Sequence, residues 1–111
     1  MPTPSPKNLV FFLSDNHACG YLGAYGNPLA RTPNLDAIAA RGVRFDNATA
    51  ASHWTAPSHA TLLTGLTPGQ HGVETYPDVE VLDPSARTIA EVLAENGYQT
   101  AAFVDGVFVS E

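Results

Sequence analysis

The feature that most constrains the fold is a short apolar run that stops abruptly at polar residues. Residues 8–13 are Asn-Leu-Val-Phe-Phe-Leu, and Ser14, Asp15, Asn16 and His17 follow directly. A nearly continuous apolar run of this length is typical of a strand covered on both faces. In open α/β sheets, ligand sites lie beyond the carboxyl ends of the strands. The sequence therefore predicts a buried strand with a candidate site immediately after it.

Strand-like and helix-like segments alternate along the rest of the chain. Two further strands are predicted at residues 43–50 and 99–104. Residues 20–26 are glycine-rich and predict a loop or a broken helix, and residues 74–84 predict a loop. Each of the three predicted helices has a polar or proline start and a glycine stop: Thr32-Pro33 to Gly42, Thr55 to Gly65, and Thr88 to Asn96 with Gly97. This alternation predicts an α/β sandwich with a mainly parallel sheet.

Composition excludes several classes of function. The net charge of −6 disfavours nucleic-acid binding, which needs a basic surface. No apolar stretch approaches the ~18–20 residues of a membrane span. The N-terminal residues also lack the basic patch followed by an apolar run that is typical of a signal peptide. The single cysteine, Cys19, cannot form an internal disulfide, which fits a reducing compartment. We expect a cytoplasmic protein that binds neither nucleic acid nor membrane.

The charge is unevenly distributed along the sequence. Through Gly72 the chain carries four basic and three acidic residues, whereas the remainder carries eight acidic residues and Arg87 alone. We interpret the acidic half as a solvated face. An anionic substrate would be attracted to the first half rather than to the second.

Two places have residues suited to catalysis, and each also has a structural interpretation. Asp15 can bind a metal ion rigidly at a strand end, or it can cap the following loop. Thr55 and Ser58 stand at a predicted helix start, where a hydroxyl can bind an anion or act as a nucleophile, or can serve as the N-cap. We interpret His53 and His71 as loop histidines with hydrogen-bonding roles. Trp54 can line a pocket or pack in the core.

Six segments, in order from about residue 8 to residue 103, resemble the sulfatase family of the alkaline phosphatase superfamily. They are Ser14-Asp15-Asn16-His17, Leu22-Gly23-Ala24-Tyr25-Gly26, Thr32-Pro33-Asn34-Leu35-Asp36, Gly42-Val43-Arg44-Phe45-Asp46-Asn47-Ala48, Pro57-Ser58 with Leu63-Thr64-Gly65, and Gly97-Tyr98-Gln99-Thr100-Ala101. The resemblance implies an alkaline phosphatase-like fold, which for this chain means a partial three-layer α/β/α sandwich.

The resemblance also implies a metal-dependent hydrolase of small-molecule sulfate esters. Asp15 matches the first metal-binding aspartate, and Asn16 stands where many sulfatases have a second acidic ligand. Thr55 matches the nucleophile, which also contacts the metal, and His59 in the same motif is the second catalytic candidate. The resemblance favours Ca²⁺ as the metal. The resemblance does not assign any substrate-binding residue.

The nucleophile motif departs from that of sulfatases proper. Those enzymes have Cys or Ser in a Cys/Ser-x-Pro-x-Arg motif and convert it to formylglycine. A threonine lacks the primary Cβ that is oxidised, so no formylglycine is expected at Thr55. The segment Thr55-Ala56-Pro57-Ser58-His59, with Thr64-Gly65 and His71-Gly72, also resembles the threonine motif of nucleotide pyrophosphatase/phosphodiesterases. This resemblance favours a phosphodiesterase or phosphatase that uses Thr55 directly, with Mn²⁺ or Zn²⁺.

A second departure lies after the predicted third strand. Many sulfatases have Gly-Lys-x-His there, and this chain has Val104-Asp105-Gly106-Val107. The lysine and histidine that hold the sulfate are therefore not present in this segment.

The length of the chain bears on its activity. Family members are several times longer than 111 residues, and their remaining metal ligands come from a later strand. We expect residues 1–111 to be the truncated N-terminal part of a sulfatase-like catalytic domain, whose partner is the missing C-terminal part of the same domain. The parent protein is then an enzyme and this chain alone is inactive. A non-catalytic fragment or interaction module is the alternative from another class.

Overall fold

The computed structural model describes residues 7–74 and 81–105 of the chain. Within them the chain forms two 3₁₀ turns, Cys19–Tyr21 and Gly23–Tyr25, and four α-helices, which are α1 (Pro33–Arg41), α2 (Thr55–Thr64), α3 (Pro68–His71) and α4 (Ile89–Glu95). The chain divides into two compact units, Met1–Asn47 and Ala48–Glu111. No helix among the described residues is long and apolar enough to cross a membrane.

The predicted α/β sandwich with a mainly parallel sheet is wrong for this structure. No described residue lies in a strand, and the three segments predicted as strands, 8–13, 43–50 and 99–104, have irregular backbone or turns. Their side chains are exposed, reaching 88% for Val10 and 98% for Phe103. A strand exists only where a second strand satisfies its N–H and C=O groups, and the described part of the chain supplies no such pairing. Apolar composition alone therefore did not produce a sheet.

The three predicted helices are confirmed as α1, α2 and α4. Thr32 is the N-cap of α1 and Pro33 is its first residue. At the C-terminal end of α1, Arg41 Nε donates to the carbonyl of Ala37. The N–H of Gly42, which ends the helix, donates to the carbonyl of Ile38. The glycine-rich segment contains the two 3₁₀ turns, in agreement with a broken helix. Of the predicted loop at residues 74–84, residues 75–80 lie outside the described part of the chain.

In the first unit the second 3₁₀ turn packs against the start of α1. The amide of Gly23 donates to Thr32 Oγ1 at 2.9 Å, and the amide of Ala24 donates to Asp36 Oδ1 at 2.7 Å. Thr32 Oγ1 in turn donates to Asp36 Oδ1 at 3.0 Å. These bonds give the motifs Leu22–Gly26 and Thr32–Asp36 one shared structural role, because each supplies the hydrogen-bond partners of the other.

In the second unit α2 packs against α3 and α4. The most buried residues there are Pro57 and Ala60 of α2, His71 of α3, and Val73. Helix α3 was not among the predicted helices, although Thr67 and Gln70 form the capping box that marks its start. Glycines in the left-handed conformation end α2 and α3, with φ 73° at Gly65 and φ 75° at Gly72.

Candidate functional site

The first candidate site is a turn at Asp15 and Asn16, directly after the exposed apolar run. Asp15 Oδ1 accepts the backbone N–H of Asn16 at 2.9 Å. Asn16 has φ 56°, a left-handed conformation that asparagine adopts more readily than most residues. Ser14 Oγ and His17 Nδ1 lie 3.3 Å apart across the same turn. This bond is compatible with the interpretation of Asp15 as a cap of the loop, and the metal-ligand interpretation stays a prediction.

The donor atoms of this turn suit a hard cation, but their number does not complete a site. Carboxylate and amide oxygens are the usual ligands of Ca²⁺, which takes six to eight of them. In the described residues no group of three or more His, Cys, Asp and Glu side chains is arranged to hold a metal ion. The oxygen donors of this turn are therefore of the kind that binds Ca²⁺, but the described residues provide fewer of them than the ion needs.

The second candidate site is the first turn of α2. Trp54 is the N-cap and Thr55 is the first helical residue, so the interpretation of Thr55 as the N-cap is wrong. Ser58 also lies inside the helix, where its N–H donates to the carbonyl of Trp54 at 3.2 Å. Pro57 occupies the third helical position, which needs no intrahelical N–H donor, and its fully buried ring fixes this turn in the core of the unit. The Thr55 side chain is half-buried beside that anchor.

His59 follows Thr55 by four residues on α2, and it too is half-buried. Residues four apart on a helix are neighbours on one face, with Cβ atoms about 5–6 Å apart. Thr55 and His59 therefore share one face of α2. Asp15 and Asn16 belong to the first unit and Thr55 and His59 to the second.

Permanent positive charge is scarce in the second unit. From Ala48 onward the sequence contains eight carboxylates and one arginine, Arg87. That arginine is paired with Glu95 on α4. The N-terminus of α2 carries the partial positive charge of the helix dipole. An anion at Thr55 would therefore depend on this helix end for attraction within the unit.

His71 is a buried polar residue of the second unit. It was expected in a loop, but it lies in α3 and is only 4% exposed. The Val73 N–H donates to His71 Nδ1 at 3.1 Å, so the proton of the neutral ring lies on Nε2, which donates to Thr61 Oγ1 at 3.1 Å. The expected hydrogen-bonding role is confirmed. Its position between Thr61 and Val73 makes the ring a link between α2 and α3.

His53 and Trp54 form an aromatic pair immediately before Thr55. Their ring centroids are 5.3 Å apart and their planes are inclined by 46°. The Trp54 side chain is 46% exposed, so the indole does not belong to the core. Of the two interpretations of Trp54, this exposure favours a surface that can line a pocket.

Comparison with known proteins decides the family. The sulfatase family model matches residues 7–106, which is nearly the whole chain. The chain belongs to the sulfatase family. This sulfatase-family chain is 43% identical to arylsulfatase A of Bos taurus, 38% identical to steryl-sulfatase of Mus musculus and 34% identical to N-acetylglucosamine-6-O-sulfatase of Bacteroides thetaiotaomicron.

The alignments cover most of this chain and a small part of each relative. They include 86%, 90% and 94% of the chain, respectively, but only 20%, 18% and 18% of the relatives. The chain therefore spans about a fifth of the length of the curated relatives that it matches. No solved structure is a significant match to the chain.

Proposed function

We propose that the protein is a metal-dependent hydrolase of small-molecule sulfate esters with Thr55 as its nucleophile. The observation that carries the proposal is the sulfatase family match across residues 7–106, which includes the first turn of α2. Relatives named for action on aryl, steryl and amino-sugar sulfates support the ester class. The half-buried Thr55 at the positive end of α2 supports the choice of nucleophile.

In the proposed reaction the Thr55 hydroxyl attacks the sulfur of the ester. Its proton passes to a base, for which His59 on the same helix face is the candidate. The bond between sulfur and the leaving oxygen breaks, the alcohol or phenol departs with a proton, and a sulfate ester of Thr55 remains. Water then hydrolyses that ester and restores the hydroxyl. The dipole of α2 stabilises the negative charge on the sulfuryl oxygens throughout.

Asp15 and Asn16 are the proposed metal ligands in the first unit. Ca²⁺ is the proposed ion because both side chains offer oxygen donors. Calorimetry with Ca²⁺ tests the ligands. We expect Asp15→Ala to weaken binding at least tenfold, whereas Asp46→Ala, a change of the same kind at another exposed aspartate, should leave it unchanged. No saturable Ca²⁺ binding would instead favour a non-catalytic chain.

Substitution of Thr55 tests the nucleophile. In a whole protein that contains this chain, we expect Thr55→Val to abolish hydrolysis of an aryl sulfate, and mass spectrometry should no longer detect a sulfated residue 55. Thr49→Val removes a hydroxyl from an exposed position before α2 and should leave both signals intact. Full activity of the Thr55→Val protein would reject the assignment.

A phosphodiester or phosphate monoester is the second candidate substrate. It is favoured by the threonine at residue 55, which acts without conversion to formylglycine, and by the lack of a lysine or histidine at residues 104–107. Mn²⁺ or Zn²⁺ would then be the metal. Assays of an aryl sulfate, an aryl phosphate and a diaryl phosphate under identical conditions distinguish the candidates, because the preferred ester should have the highest kcat/KM.

A further inference from the structure

The aromatic pair, His53 and Trp54, lies next to the proposed nucleophile and has no part in the proposed reaction. Trp54 precedes Thr55 directly, so their Cα atoms are about 3.8 Å apart. The indole is 46% exposed and is inclined to the His53 ring at a centroid distance of 5.3 Å. In contrast, Pro57 and Ala60 of the same helix are buried. The chain therefore keeps a large aromatic surface accessible at the one end of α2 where an ester would bind.

We propose that Trp54 is a specificity-determining residue that contacts the organic group of the substrate and favours aromatic esters over aliphatic ones. The proposal rests on the proposed function, because it takes Thr55 as the reacting group. A reacting sulfur would lie about 3–3.5 Å from Thr55 Oγ1, and the organic group begins one bond beyond the bridging oxygen. The side chain of the preceding residue is long enough to reach a group at that distance.

The chemistry of the pair favours an aromatic ring as its ligand. Offset or edge-to-face contact between rings is favourable beyond the area that it buries, and indole offers the largest ring surface of any side chain. A carboxylate or a second sulfate on the organic group would gain little, since Arg87 is the only permanent cation in the second unit and it is paired with Glu95. The pair thus selects for ring surface rather than for charge.

The composition of the chain makes the contact directly measurable. Trp54 is the only tryptophan, so the indole fluorescence of the protein comes from this one position. We expect phenyl sulfate to change that emission saturably, and inorganic sulfate and butyl sulfate to cause little change. Calorimetry should give a three- to tenfold tighter Kd for phenyl sulfate than for butyl sulfate, the range expected for a ring contact.

Three variants separate this contact from a general effect on folding. Trp54→Phe should keep a preference for the phenyl ester, and Trp54→Ala should reduce the ratio of the two affinities to about one. Phe103→Ala, which removes a more exposed ring elsewhere in the second unit, should leave the ratio unchanged. Equal affinities in the unmodified protein, no binding of either ester, or a preference that survives Trp54→Ala while circular dichroism is unchanged would overturn the proposal.

The binding ratio is independent of turnover, so failure of this proposal can be told from failure of the proposed function. If Thr55 is not the nucleophile, Thr55→Val retains activity, whereas the affinity ratio still reports on Trp54. If Trp54 does not contact the organic group, Trp54→Ala leaves the ratio unchanged, whereas Thr55→Val still abolishes hydrolysis.

Discussion

The backbone at Gly23 has no room for even a methyl side chain. A Cβ built on Gly23 would lie 2.5 Å from Asp36 Oδ2 and 3.0 Å from its Cγ. The same carboxylate accepts hydrogen bonds from Ala24 and Thr32 through Oδ1, so it cannot move away without losing them. The glycine is needed here for close approach of two segments rather than for an unusual backbone conformation.

We therefore expect Gly23→Ala to destabilise the first unit by about 1–3 kcal/mol, the usual cost of forcing an extra carbon into a packed contact. Urea titration followed by circular dichroism measures the change. Gly20→Ala is the matched control, because Gly20 lies in the neighbouring 3₁₀ turn with no atom within 4 Å of its built Cβ. Equal losses of stability in the two variants would contradict the explanation that Gly23 is required for close approach to Asp36.

At the scale of elements, the link between α2 and α3 depends on one buried ring. His71→Ala would leave the N–H of Val73 without its acceptor and would open a cavity beside α2. Together these losses predict a cost of about 2–4 kcal/mol. Thr61→Val removes only the Nε2 partner and should cost about 1 kcal/mol. Chemical unfolding of both single variants and of the double variant gives the three losses in free energy of unfolding. We expect the loss in the double variant to differ from the sum of the single losses, because the two side chains share a hydrogen bond. Strictly additive losses would show that the two side chains act separately.

Helix α4 contains a capping box whose acidic member should make the helix sensitive to acid. The backbone N–H and the hydroxyl of Thr88 donate to Glu91, and they hold the pKa of this carboxyl below its ordinary value. A carboxyl with a lowered pKa in the folded state adds stability above its unfolded pKa, and this stability is lost as pH falls through the folded pKa.

We expect the helicity of α4 to decrease as pH falls below about 4.3, the ordinary pKa of glutamate, and to recover on return to neutral pH. Glu91→Gln keeps an acceptor oxygen but no longer titrates, so its far-ultraviolet dichroism should depend less on pH in this range. Asp105→Asn makes the same kind of change at an exposed carboxylate outside the helix. Identical pH profiles for Glu91→Gln and the unmodified protein would reject the role of the capping box.

The three helices could be predicted because their ends are specified locally. Thr32-Pro33, Thr88 with Glu91, and the glycines at 42, 65 and 97 act within a few residues of the helix that they bound. The strand predictions failed because a run such as residues 8–13 becomes a strand only by pairing with a second strand, and residues 8–13 do not themselves specify that partner. The burial of His71 could not be predicted from the local sequence, because it depends on the packing of α3 against α2.

At the scale of the whole molecule, the apolar run after Lys7 forms a contiguous exposed surface and lies in no strand of the described chain. Residues 9–13 are Leu-Val-Phe-Phe-Leu, and their exposed fractions range from 44% to 88%. Contiguous apolar surface of this kind is a site of association in soluble proteins. The net charge of −6 opposes association by repulsion between chains, and this repulsion weakens as salt screens it.

We expect the chain to self-associate through this run, more strongly at high protein concentration and at high ionic strength. Sedimentation velocity gives the distribution of species, and binding of a dye specific for apolar surface gives the exposed area. Phe12→Lys, at a residue that is 80% exposed, should shift the distribution towards monomer and reduce dye binding. Leu29→Lys makes the same change in charge at a residue that is 88% exposed but stands outside the run, so it should change neither signal appreciably. If the two variants reduce association equally, net charge rather than the apolar run governs it.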